Sequence, residues 1–114
     1  MKAEIIMSSS LTAELELDRP AKDELRVRLS GPLDLRTVPR LRGPLLRNVR
    51  ARTGLSVDLE LAGVTRMDTA GAALLLEIHR IVTTGGGKLR LDGTGGEVGK
   101  VLKLNQLDAI LQAG

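Results

Sequence analysis

Apolar and polar residues alternate in three places along this chain. Leu11–Leu17, "LTAELEL", has a period of two, the mark of a strand with one face buried and one wet. Leu25–Leu29, "LRVRL", repeats the pattern, with Leu25, Val27 and Leu29 facing one way and Arg26 and Arg28 the other. Arg19, Pro20 and Lys22–Asp23 lie between them and read as a turn, so the two strands form a hairpin. Leu55–Leu61, "LSVDLEL", is the third alternating stretch. Between the second and third the period becomes helical. Val38, Leu41, Leu45 and Val49 recur at helical spacing after Thr37, which is placed as an N-cap. Gly31-Pro32 breaks the preceding strand and Gly54 closes the helix. Pro39 fits the first turn, where no backbone donor is needed. Pro44 removes an internal hydrogen bond and predicts a kink.

The stretch Arg66–Ile78, "RMDTAGAALLLEI", opens a second helix that lasts to about Val82. Leu74, Leu75, Ile78, Ile81 and Val82 form one apolar stripe, expected to face a sheet. Gly85–Gly87 is a loop, Lys88–Leu91 a short strand and Glu97–Leu104 a short helix. Leu107–Leu111 fits a last strand or a helical end. Residues 1–10 carry only a three-residue apolar run, Ile5–Met7, and read as a flexible tail without a signal-peptide core. The order β-β-α-β-α-β-α describes an α/β fold, a small mixed β-sheet covered by helices. With no internal repeat and no long linker, residues 1–114 form a single domain.

Composition narrows the function. Of 114 residues, 42% are hydrophobic and none is aromatic, so the core must be built from Leu, Val, Ile and Ala. No ring is present to stack on a base, which argues against nucleic-acid binding. The absence of cysteine excludes disulfides, thiol catalysis and zinc–thiolate sites, and the lone His79 argues against a histidine-based metal site. No cofactor is implied. No stretch approaches the roughly 20 apolar residues that cross a bilayer, so no membrane insertion is expected and a cytoplasmic protein is the default reading. The net charge of +3 is concentrated in Arg36–Arg52, with six arginines. These read as the solvated face of an amphipathic helix, or as a patch for phosphate or acidic lipid.

Two stretches invite chemistry. Gly93–Val101, "GTGGEVGKV", looks like a phosphate-binding loop, but Thr94 stands where the first glycine should be and Val101 where the Mg²⁺-binding hydroxyl should be. A turn entering a helix explains it better. Asp68-Thr69 is the second. Thr69 as a nucleophile needs a base in reach, and His79 lies nearly three helical turns away. Thr69 as a helix cap is consistent with its position, with Asp68 adding charge at the positive helix end. Capping does not explain Ala70-Gly71-Ala72-Ala73. These small residues, with Ala72 and Leu76 on one side, suggest a flat face suited to close approach by another protein. A phosphate on Thr69 would place nearly two negative charges at its edge. Cap and switch both fit the residues.

Three stretches carry a family resemblance: Leu29–Leu45, "LSGPLDLRTVPRLRGPL"; Leu59–Ile78, "LELAGVTRMDTAGAALLLEI"; and "KLRLDG" with "VLKLNQLDAIL". Together they resemble the STAS domain family, named for sulfate transporters and anti-sigma-factor antagonists, over roughly residues 12–111. The resemblance implies that Thr69 is the hydroxyl a partner kinase phosphorylates. Asp68 matches the acid before it, Gly71 the glycine opening the helix, and Asp34 the acid of a Gly-x-Leu-Asp turn near that hydroxyl. The implied protein is not an enzyme. It binds an anti-sigma factor, itself a serine/threonine kinase, through Asp34, Asp68, Thr69, Ala70, Gly71, Ala72 and Leu76. Phosphorylation of Thr69 ends the binding and a phosphatase restores it. Three departures from the family pattern stand out: Glu60-Leu61 replaces the usual Asp-Leu, Thr replaces the commoner Ser, and a final helix is missing or short. "DTAGAALLL" also resembles the STAS subunit of lipid-asymmetry ABC transporters, which implies an alternative partner, the transporter's ATPase.

Overall fold

The computed structural model describes residues 3–7 and 13–113. Nine elements follow one another: β1 (Ala3–Met7), β2 (Glu14–Asp18), β3 (Glu24–Leu33), α1 (Val38–Arg50), β4 (Ser56–Met67), α2 (Thr69–Thr84), β5 (Lys88–Asp92), α3 (Gly96–Leu104) and α4 (Asp108–Ala113). The strands form one mixed sheet in the order β1-β2-β3-β4-β5. β1, β2 and β3 pair antiparallel, whereas β3, β4 and β5 run parallel and are joined through α1 and α2.

The alternation does what its period requires. Leu15, Leu17, Leu25, Val27, Leu29, Val57, Leu59, Leu61 and Leu89 are buried, and they join the inner faces of the helices in one core. The largest fully buried side chains are all leucines except Ile78, so branched aliphatics fill the space that aromatic rings commonly occupy. Residues of the opposite sheet face are charged and stay wet. Arg28, paired in register with Glu16 on β2 and Glu60 on β4, hydrogen-bonds both carboxylates at 2.8 Å. Glu60, one of the residues that departs from the family pattern, therefore serves a charge ladder on the solvent face.

Several expectations are corrected. The stretch read as a tail contains β1, whose register places Ala3 opposite Asp18 and Met7 opposite Glu14. A short edge strand is held by backbone bonds that leave little side-chain pattern to read. The first expected strand begins at Glu14, and Leu11 and Thr12 lie outside the described residues. β3 does not stop at Gly31-Pro32. It continues to Leu33 beside β4, with register shifts between Arg28 and Ser30 and between Gly31 and Pro32. Among the described residues β2 pairs only as far as Ser30, so the Pro32 position takes its register from β4, opposite Arg66. The closing segment is helical: α4 is six residues long, and Leu111, just before its end, is fully buried.

Candidate functional site

β3 and β4 end side by side, Leu33 opposite Met67, and each passes its chain to a helix at that edge. The two motifs, "GPLD" and "MDTAG", therefore meet at the carboxyl ends of parallel strands. In open α/β sheets this edge is the usual place for a site.

Asp34 organises the first turn. Its Oδ1 accepts from the backbone amides of Arg36 at 2.9 Å and Thr37 at 3.3 Å, while Thr37 Oγ1 accepts from the Asp34 amide at 3.0 Å. This reciprocal pair is a capping box set just ahead of α1. Thr37 marks the start of the helix as expected, but its side chain makes no cap bond to the helix itself. Its hydroxyl is fully buried and donates to the Pro32 carbonyl at 2.8 Å. Asp34 is 5% exposed, and its remaining oxygen faces the Arg66 guanidinium at 3.8 Å. It shapes the loop from inside.

Asp68 organises the second turn and locks it to the first. Its Oδ1 accepts from the amides of Ala70 at 2.9 Å and Gly71 at 3.1 Å, and its Oδ2 accepts from the amide of Leu35 at 3.0 Å. The N-cap of α2 is thus Asp68, not Thr69. Its extended backbone, φ −118° and ψ −170°, suits that role. Thr69 is the first helical residue, exposed, and among the described residues its hydroxyl has no hydrogen-bond partner.

The small residues after Thr69 divide between two functions. A Cβ on Gly71 would lie 2.5 Å from the Leu33 carbonyl oxygen and 2.9 Å from Met67 Cγ, so glycine lets α2 sit against the end of β3. Ala72 is 2% exposed and also packs inward. Of the residues expected at a partner surface, these two are buried. Ala70 is half-buried. The outward row of α2 is Thr69, Ala73 and Leu76, at helical spacing, with Leu76 half-buried. Leu35 was not singled out from sequence, yet it is 72% exposed on the turn whose amide Asp68 holds. A leucine out of phase between Asp34 and Arg36 is the signal that marked it.

Beyond Leu76, Glu77 ties α2 to α1. It accepts two hydrogen bonds from the Arg42 guanidinium, at 2.8 and 2.5 Å. Those bonds hold its carboxyl below the ordinary range, outweighing the opposing effect of burial, with the charge of Arg50 adding to them.

His79, ten residues after Thr69 along α2, lies about 15 Å away along the axis. At the glycine-rich loop, a Cβ on Gly99 would meet the Thr94 carbonyl oxygen at 2.3 Å, so this glycine lets α3 pack against the loop before it. Among the described residues no His, Asp or Glu cluster could hold a metal ion, and no helix is long and apolar enough to cross a membrane.

Comparison with known proteins bears on this geometry. No curated protein matches the sequence. The fold matches the anti-sigma factor antagonist SpoIIAA in its unphosphorylated form, with TM-score 0.69, 21% identity and 83% of each chain covered. It also matches an anti-sigma factor antagonist from Mycobacterium paratuberculosis, with TM-score 0.67 and 18% identity, over 93% of this chain and 87% of that one. A family model described as "Mlab, STAS domain" matches residues 17–112. With its mixed sheet, its crossover helices and the Asp68-Thr69 turn at their junction, the chain belongs to the STAS domain family.

Proposed function

We propose that this domain is a non-enzymatic regulator of the anti-sigma-factor antagonist kind. It binds an anti-sigma factor with serine/threonine kinase activity through the surface around the start of α2. One observation carries the reading: Thr69 is exposed, its hydroxyl has no partner among the described residues, and it opens a helix whose Asp68 cap also holds the turn that carries the exposed Leu35. The kinase transfers the γ-phosphoryl group of ATP to Thr69 Oγ1. ADP leaves and the hydroxyl proton passes to the kinase. The dianionic product sits at the positive end of α2, which tolerates it, while an apolar partner surface pressed on Leu35 does not. A phosphatase resets the domain. The proposed compartment is the cytoplasm.

A second reading follows from the Mlab description of the matching family model and from "DTAGAALLL": a cytoplasmic STAS subunit that binds the ATPase of a lipid-transport ABC complex through the same surface. A pull-down from lysate of the source organism, with wild-type and Thr69→Glu baits read by mass spectrometry, separates the two. Enrichment of a small kinase-like anti-sigma factor by the wild type, and its loss with Thr69→Glu, supports the first reading. Capture of an ABC ATPase instead replaces it with the second. A Leu35→Asp bait is expected to lose either partner.

A further inference from the structure

The arginine-rich stretch Arg36–Arg52 begins in the turn beside Asp34, and the fold sorts its members. Arg42 is committed to Glu77. Arg50 and Arg52, at and just beyond the end of α1, meet Arg80 of α2 around a groove of about 470 Å³. The groove lies between the C-terminal ends of the two helices, at the opposite end of α2 from Thr69. Its lining is mainly apolar and includes Val49, Leu55 and the half-exposed Ile81.

The three guanidinium groups are not consumed by the protein. Among the described residues, Arg50, Arg52 and Arg80 form no ion pair and no side-chain hydrogen bond. Glu77, the carboxylate influenced by Arg50, already holds Arg42. Neutralising the helix dipoles accounts for only part of the charge. Each C-terminal end carries roughly half a negative charge, so two ends offset about one of the three arginines. A net positive rim over an apolar floor, of a size that fits a small ligand, is complementary to an anion with a hydrocarbon body.

We propose that this groove binds one molecule of a single-chain anionic amphiphile, with its phosphate or carboxylate head among Arg50, Arg52 and Arg80 and its alkyl chain along the half-exposed Ile81. Arginine suits such a head because its fork donates two hydrogen bonds at once. The site is independent of Thr69 and of what binds there.

Decyl phosphate below its micelle concentration is the probe, titrated into ¹⁵N-labelled full chain and followed by amide shifts. Saturable shifts confined to residues 49–55 and 80–85 are expected. Inorganic phosphate and decanol alone should each bind at least about tenfold more weakly. The Arg50→Gln/Arg52→Gln/Arg80→Gln variant, its fold checked by circular dichroism, should weaken decyl phosphate by at least about tenfold. Thr69→Glu should leave it unchanged. Absence of saturation, shifts spread over the charged sheet face, or equal binding of inorganic phosphate would overturn the proposal. So would retention of affinity in the triple variant, or binding only to vesicles containing anionic phospholipid.

Discussion

At the scale of single residues, Gly71 and Asp68 separate what the sequence showed from what it hid. The small residues after Thr69 were legible as a feature, but not the direction in which they face. Only the paired ends of β3 and β4 reveal that Gly71 lies against the Leu33 carbonyl. Gly71→Ala tests this directly. On an exposed helix the change would stabilise by about 1 kcal/mol. Here the new Cβ meets backbone, which cannot swing aside, and overpacking of this kind costs about 1–3 kcal/mol. Net destabilisation in urea, followed by circular dichroism, is the expected result. A stabilised variant would mean that the helix sits further from β3. Asp68 carries two separable tasks. Asp68→Ala removes the cap and should cost about 1–2 kcal/mol. Asp68→Asn keeps an oxygen for the Ala70 and Gly71 amides but turns an NH₂ group toward the Leu35 amide. It should retain much of the stability while hydrogen exchange at Leu35 speeds up. That an acid preceded a helix was readable. That its second oxygen reaches a loop 33 residues away was not.

Among the elements, interiors were readable and ends were not. Alternation identified the cores of β2, β3 and β4 because each lies over the helices with one face wet. It failed where pairing no longer shows in side chains. The distal halves of β3 and β4, Ser30–Leu33 with Gly63–Met67, pair mainly with each other, and they form the ledge that carries the site. The contact between α1 and α2 was also invisible, since Arg42 read as part of a solvated face and nothing in the pattern pairs it with Glu77. Their pairing predicts a pH dependence. The folded state holds the Glu77 carboxyl below its ordinary range, so its contribution is complete above the unfolded-state value of about 4.3 and is lost as pH falls through the lower folded value. Glu77→Gln should therefore be less stable than wild type near neutral pH, by about 0.2–1 kcal/mol for an exposed pair, and the difference should close in acid. Paired urea melts across the acid range measure it. A difference that persists at the lowest pH would point to lost packing rather than lost charge.

For the whole molecule the question is whether charge at Thr69 alters the fold or only its surface. Every polar atom that shapes the turn is already engaged: Asp68 by three amides, Asp34 by two amides and an arginine, and Thr37 by Pro32 and Asp34. Thr69 takes no part in that network. A negative group there meets the positive end of α2 on one side and the neighbouring carboxylate of Asp68 on the other, so the folding terms nearly cancel. In the proposed complex there is no such compensation, because a charge at Thr69 must be desolvated when another protein closes over it. Thr69→Glu should therefore melt within about 0.5 kcal/mol of wild type, with a superposable far-ultraviolet spectrum, while its affinity for the partner falls by at least about tenfold. Equal affinity would remove Thr69 from the contact. A large loss of stability would show that the residue supports the fold and that lost binding is a consequence of unfolding. Stability and affinity measured on the same preparation distinguish a surface switch from a structural one.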